Sequence, residues 1–225
     1  MNPNNRQLKR IGPVADAFVQ SRAFIQGIMG PVGSGKTIAS AQKILLLAAR
    51  QKGVRNNAGV TIRRSRFAII RDTYPNLDRN TIPSWWKVVP KAMGKWNGSA
   101  PRLHQFSMTL RRDVDGKPSD MAMVEVEFRA IGEASVEDAL RGLEVTAAFV
   151  NEADRTHPDI LTFLAGRVGR FGDLDPTLVV DPQIILDLNG NDDDNWTYKV
   201  LIEQELPASM KDYVETAMSG RKLIE

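Results

Sequence analysis

The chain has 225 residues with 30 Lys/Arg, 27 Asp/Glu and no cysteine, which excludes disulfides and thiolate metal sites. No apolar run approaches the roughly 20 residues that cross a bilayer, and the opening MNPNNRQLKR lacks the apolar core of a secretory signal, so neither membrane insertion nor export is expected. The net charge of +3 hides a split, with 20 Lys/Arg against 3 Asp/Glu in residues 1–112 and 10 against 24 in residues 113–225. The basic half points to a polyanionic partner, unless the two halves neutralise each other within one domain.

In chain order, AFIQGIM (23–29) reads as a short buried strand and residues 36–53 as a helix, with Ile38, Ala41, Ile44, Leu45 and Ala48 at helical spacing and Gly53 as its stop. The Gly/Asn-rich basic stretch before residue 66 reads as a loop, and RFAIIRDT (66–73) as a second buried strand. Residues 79–94 read as helix broken at Pro83 and Pro90. Two strand-like runs, 102–112 and 121–132, flank an Asp-Gly turn and predict a hairpin. Ser135 with Asp138 opens a short helix over 134–142, and VTAAFVN (145–151) is the next buried strand. Thr156 with Asp159 caps a helix near residues 158–169, and PQIILDLN (182–189) is the last strand. Alternating strands and helices predict an α/β fold with a mostly parallel sheet and an inserted β-hairpin.

Gly30-Pro-Val-Gly33-Ser34-Gly35-Lys36-Thr37 fits the phosphate-loop pattern G-x-x-x-x-G-K-[ST], and it stands between a strand and a helix as that pattern requires. The glycines let backbone N–H groups turn toward phosphates at a helix N-terminus. Lys36 is placed to reach the β- and γ-phosphates and Thr37 to bind Mg²⁺, so ATP or GTP is the expected ligand. Hydrolysis needs a further acid at the end of another strand. Glu152 in AAFVNEAD is the first candidate, to polarise water, and Asp187 is the rival. Asn151 precedes Glu152 and offers an amide oxygen to a Mg²⁺-bound water without adding charge. Asn189 is either a sensor of the γ-phosphate or a turn residue before Gly190. The acidic run at 192–194 reads as a solvated loop rather than a metal site.

Taken together, GPVGSGKT, IIRDTYPNL, LRGLEVTAAFVNEAD and ILDLNGNDDDNWTYK, over about residues 20–205, resemble the ATPase domain of the large terminase subunit of tailed bacteriophages. The resemblance implies a RecA-like (ASCE) P-loop ATPase that drives double-stranded DNA into a procapsid. It implies a ring, of five subunits, docked on a portal protein, with a small terminase subunit as partner, in the host cytoplasm. Lys36 and Thr37 match the nucleotide-binding pair and Glu152 the catalytic glutamate. Arg141 matches an arginine offered to a neighbour's ATP, with a helix-capping arginine as the alternative, and Asn189 lies near the coupling motif. The family's large subunits continue into a nuclease domain, so residues 1–205 are expected to be the motor and 206–225 a linker or lid.

Many members carry an arginine where Val32 stands, so another cation is needed; Arg71, Arg167 and Arg170 are candidates. Gln20 is the candidate for adenine contact. Phosphate contacts to DNA fall to RQLKR, RQKGVR and above all Arg63, Arg64, Arg66, Arg111 and Arg112. Trp85, Trp86 and Trp96 read as packing residues in preference to base-stacking ones. The alternatives are another nucleic-acid-dependent ATPase of helicase type, a small-metabolite kinase, or an inactive nucleotide-binding scaffold.

Overall fold

The periodicities resolve into a three-layer α/β/α arrangement in a computed structural model that describes residues 11–171, 175–190, 192–207, 210 and 224–225. The basic RQLKR and most of 206–225 lie outside the described residues. The elements are α1 (Pro13–Gln20), β1 (Ile25–Met29), α2 (Lys36–Arg50), β2 (Val54–Arg55), β3 (Thr61–Arg71), α3 (Tyr74–Asn76), α4 (Ile82–Val88), β4 (Lys95–Asn97), β5 (Arg102–Arg112), β6 (Pro118–Ala130), α5 (Val136–Ala139), β7 (Ala147–Val150), α6 (Asp159–Ala165), β8 (Ile184–Leu188) and α7 (Trp196–Leu201). The strands form one sheet in the order β1-β8-β7-β3-β6-β5-β4, with β2 paired to β3. Strands β1, β8, β7, β3 and β6 are mutually parallel; β5, β4 and β2 run antiparallel to their neighbours. Among the described residues no helix is long and apolar enough to cross a membrane.

Alternation along β3 divides the core. Phe67 and Ile69 face α2 and α4, with Ile44, Leu47 and Trp85, while Ala68 and Ile70 face α5 and α6, with Val136, Ile160 and Leu164. Both faces of the parallel strands are therefore covered, as such sheets require. The C-terminal residues add to the outer edge of β1, where the Gly27 N–H donates to the Glu225 carbonyl (2.9 Å) and the Glu225 N–H to the Ile25 carbonyl (3.1 Å).

Several boundaries differ from expectation for identifiable reasons. Strand β3 starts at Thr61, inside the expected loop, because its arginines find carboxylates on β6: Arg63 pairs with Asp120 and Arg66 with Glu125. The hairpin is part of the central sheet, since β6 pairs with β3 along all eleven of its residues. Pro83 does not break the helix: a π turn at Leu77–Thr81 runs directly into α4, and Pro83 follows it as the second residue of α4. Ser135 caps α5 as predicted, accepting from the Asp138 N–H. Thr156 does not cap α6; its hydroxyl donates to the Ala153 carbonyl. The sequence gives little sign of helix α1, since two turns with only Ala15 and Phe18 buried show little periodicity. It is fastened by the buried Lys43, whose ammonium donates to the carbonyls of Phe18 (2.7 Å), Val19 (3.2 Å) and Ser21 (2.9 Å).

The tryptophans pack. Trp85 is 1% exposed and donates through Nε1 to His104 Nδ1 (3.0 Å), while His104 Nε2–H donates to the Met93 carbonyl (2.7 Å). Trp86 and Trp96 meet edge to face with centroids 4.7 Å apart. Both His104 nitrogens are thus committed in the neutral form, and burial holds its pKa below the ordinary 6.5. The unfolded chain takes up this proton below about pH 6.5 and the folded chain does not. The His104 contribution to stability is therefore complete above that pH and is lost as pH falls through the folded value. Unfolding curves from pH 8 to 5 should show that acid-side decline. His104→Phe should flatten it and lower stability at pH 8 by about 1–3 kcal/mol, because the Trp85 N–H loses its acceptor.

Candidate active site

The carboxyl ends of β1, β8, β7 and β3 converge on the loop at residues 30–35. Gly33 (φ 81°) and Gly35 (φ 89°) adopt left-handed conformations that turn the loop into α2. Helix α2 follows with 15 residues, so its N-terminal amides and dipole face the loop. Gly30 is packed closely: a Cβ there would lie 3.1 Å from Ser34 Oγ. Val32, at the tip, is 90% exposed. The Lys36 ammonium donates to the carbonyls of Gly30 (2.5 Å) and Pro31 (2.9 Å) and to Asn189 Oδ1 (3.3 Å).

Strand β8 lies between β1 and β7, with Asp187 opposite Ile28 and Leu186 opposite Val150. Asp187 and Asn189 are two residues apart, so both turn toward the loop. Asp187 is 1% exposed. Its Oδ2 accepts from the Thr37 hydroxyl (2.7 Å) and its Oδ1 from the Glu152 N–H (2.6 Å). Asn151 Nδ2 donates to both oxygens (2.8 and 2.9 Å) and, at 3.3 Å, to Thr37 Oγ1. Burial pushes the Asp187 carboxyl above the usual carboxylate range, opposed by these donors and by the Lys36 charge.

Asn151 and Glu152 end β7. Asn151 Oδ1 accepts from Arg71 Nη1 (2.9 Å) and from the Thr81 hydroxyl of the π turn (2.5 Å). The amide orientation follows from chemistry: guanidinium only donates, so the oxygen faces Arg71 and the NH₂ faces the carboxylate. Glu152 has φ 50°, a left-handed conformation that costs a non-glycine residue about 1–2 kcal/mol. Its Oε2 pairs with Arg71 Nη2 (2.5 Å) and Arg155 Nε (3.0 Å), and Arg71 Nε pairs with Asp72 (3.0 Å). A cleft of about 390 Å³, bordered by Asp72, Gly132, Ser135 and Arg155, adjoins this end of the site.

The expected residues divide as follows. Gly30, Gly33, Ser34, Gly35, Lys36, Thr37, Asn151, Glu152 and Asn189 come together, and Arg71 supplies a buried cation among them. Arg167 and Arg170 flank Val168, which bridges to Val145 just before β7, so they lie at the opposite end of the sheet. Gln20 lies away from this cluster: it accepts from Arg50 (2.7 Å), and Arg50 lies roughly 21 Å along α2 from Lys36 at 1.5 Å per residue. Arg141 is exposed, pairs with Asp138 (2.6 Å), and makes no contact with this cluster.

The basic residues gather at the opposite rim, at the start of β3 and the tip of the β5–β6 hairpin. Arg63 is ion-paired, with its fork on Asp120 (2.9 and 2.7 Å) and a third donor on the Gln51 carbonyl (2.6 Å). Arg66 is largely engaged by Glu125 (2.7 Å) and stacks over Phe171. Arg64, Arg111 and Arg112 are exposed, as are Lys52 and Arg55. The acidic run 192–194 leads into α7, where Asn195 caps through the Thr197 N–H. Among the described residues no cluster of three His, Cys, Asp or Glu side chains is arranged for a metal. Sequence reasoning missed Thr81 and Arg155 and ranked Asp187 second. An acid inside the apolar run IILDL was the signal available.

With this geometry in place, solved structures give a consistent comparison. The large terminase from a thermophilic bacteriophage aligns over 96% of this chain and 53% of its own, with a TM-score of 0.57 at 10% identity. The fold matches about half of that large terminase. Two further structures of that phage's terminase, with ADP and with ATP-gamma-S, each align over 96% of this chain with TM-scores of 0.53, at 13% and 12% identity, and are covered over 42% and 41% of their length. The chain thus spans about half or less of these terminases. No protein-family model and no curated protein matches the sequence.

The arginine at the centre of the site is testable first as a structural element. Arg71→Ala strips Glu152, Asp72 and Asn151 of a shared donor. Stability should fall by about 2–3 kcal/mol in denaturant titration. That is below the roughly 3–5 kcal/mol of a fully enclosed pair, because the Glu152 side chain keeps 27% exposure. Arg71→Lys, which keeps the charge without the fork, should lose less.

Proposed function

We propose that this chain is the ATP-hydrolysing motor domain of a phage DNA-packaging terminase. The observation that carries the reading is the meeting of Lys36 and Thr37, at the start of α2, with Asp187 and Glu152, from β8 and β7, at one end of the sheet. The terminase fold, and its occurrence with ADP and ATP-gamma-S in the thermophilic phage protein, supports a nucleoside triphosphate as the ligand.

The residues suggest a division of labour. The loop amides and the α2 dipole bind phosphate oxygens, and Lys36 exchanges its carbonyl partners for the terminal phosphates, which bind an ammonium more strongly. The Thr37 hydroxyl beside the buried Asp187 carboxylate fits a Mg²⁺ ion, which when bound neutralises phosphate charge. Glu152 orients water: Oε2 is held by Arg71 and Arg155, leaving Oε1 to accept from the nucleophile. Asn189, already on Lys36, is placed to register the loss of the γ-phosphate. Arg141, exposed and outside its own site, suits a neighbouring subunit's nucleotide in a ring.

Double-stranded DNA is the proposed track, met through Arg64, Arg111 and Arg112 at the basic rim with Lys52 and Arg55. Portal protein, small terminase subunit, a five-membered ring on the procapsid and a host-cytoplasmic location complete the proposal.

Glu152→Gln should still bind ATP while phosphate release falls at least about 10³-fold, and Lys36→Ala should lose binding itself. Linear duplex DNA should stimulate the wild-type rate; phosphate passed to a metabolite without free phosphate would contradict the reading. Arg141→Ala should lower the rate by about 10³-fold or more in assembled rings and leave the dilute monomer unchanged. Equal loss in both states would remove its role toward a neighbour.

A further inference from the structure

We infer that Asp187 on β8, rather than Asn151 on β7, is the group that anchors the divalent cation of a bound nucleotide. The inference rests on the nucleotide reading above. Asn151 stands where a carboxylate would be expected after the apolar strand β7, but its oxygen is turned away from the loop, onto Arg71 (2.9 Å) and Thr81 (2.5 Å). What it presents toward Thr37 is an NH₂ group at 3.3 Å, a donor that no cation accepts. Turning the amide over would set NH₂ against guanidinium and oxygen against carboxylate, so the neighbours lock it.

Asp187 meets the requirements that Asn151 fails. It accepts the hydrogen bond of the Thr37 hydroxyl at 2.7 Å, and the hydroxyl oxygen, which also accepts from Asn151 Nδ2 at 3.3 Å, keeps a lone pair for a cation. It is held by the Glu152 N–H (2.6 Å) and by Asn151 Nδ2 (2.8 and 2.9 Å), so it has one orientation. It is 1% exposed and, among the described residues, forms no ion pair, so its charge is met by hydrogen bonds and, at longer range, by Lys36. A buried carboxylate without a counter-charge is costly, and a cation one ligand shell away at Thr37 offsets that cost. Asn151 is then a positioning residue that fixes Asp187 with its NH₂ and Arg71 with its oxygen.

The test is the gain in affinity for fluorescent ADP when Mg²⁺ or Mn²⁺ replaces EDTA. Asp187→Asn should keep the metal-free affinity and lose about 10–100-fold of the metal-dependent gain. Asn151→Ala, which leaves Asp187 held by the Thr37 hydroxyl and the Glu152 N–H, should lose less of that gain than Asp187→Asn does. Asp187→Ser, smaller but still an acceptor for the Glu152 N–H, repeats the measurement should the Asn variant fail a circular-dichroism check of folding. A full metal-dependent gain in either folded Asp187 variant overturns the assignment, as does loss of the gain in Asn151→Ala alone. Wild-type protein that binds no nucleotide, with or without metal, overturns the hydrolysis reading and this assignment together. A defect confined to the metal-dependent gain bears on the assignment alone.

Discussion

The site is organised by one constraint, a carboxylate placed in a fully buried strand. Asp187 cannot reach water, so donors must surround it. They come from three directions: the Thr37 hydroxyl from α2, the Glu152 amide from the turn after β7, and the Asn151 side chain from the end of that strand. Asn151 passes the order on to Arg71 on β3 and Thr81 in the π turn, and Arg71 passes it to Glu152. The phosphate loop and the candidate water-orienting glutamate are thereby registered to each other through hydrogen bonds and the Arg71–Glu152 ion pair. Removing one member leaves others buried without partners, so the network holds together as a unit.

Sheet order makes that registration useful. Because β8 lies between β1 and β7, the loop and Glu152 emerge two strand spacings apart, roughly 10 Å. On the proposed reading, that leaves room for a terminal phosphate and a water between lysine and carboxylate. The left-handed backbone at Glu152 then bends the chain so that its amide meets Asp187 while its side chain meets Arg71.

Much of this was legible in the residues. The phosphate loop declares itself by glycine spacing and by the strand and helix around it, and buried strands by their apolar runs. Glu152 and Asn189 follow as polar residues that end such runs. Tertiary pairing was not legible. Arginines in TIRRSRF looked like a loop because the carboxylates that neutralise them, Asp120 and Glu125, lie some sixty residues away on β6. For the same reason Arg63 looked free in the sequence and is ion-paired in the fold. Gln20 was placed near the base by sequence order, whereas α1 runs alongside α2 and carries it to the far end of that helix. Asp187 ranked second because position after β7 seemed decisive; its hydrogen bond with Thr37 is visible only in three dimensions.

Strand β3 carries cations at both extremities: Arg63 and Arg64 near its first residue and Arg71 at its last. It is bonded to β6 along its full length and to β7 over Phe67–Ile70, so it cannot stretch or buckle. Eleven residues span about 35 Å. Mechanically it is a strut. Pairing on both sides makes it one continuous element that ties the guanidinium beside Glu152 to the distant arginine-rich edge.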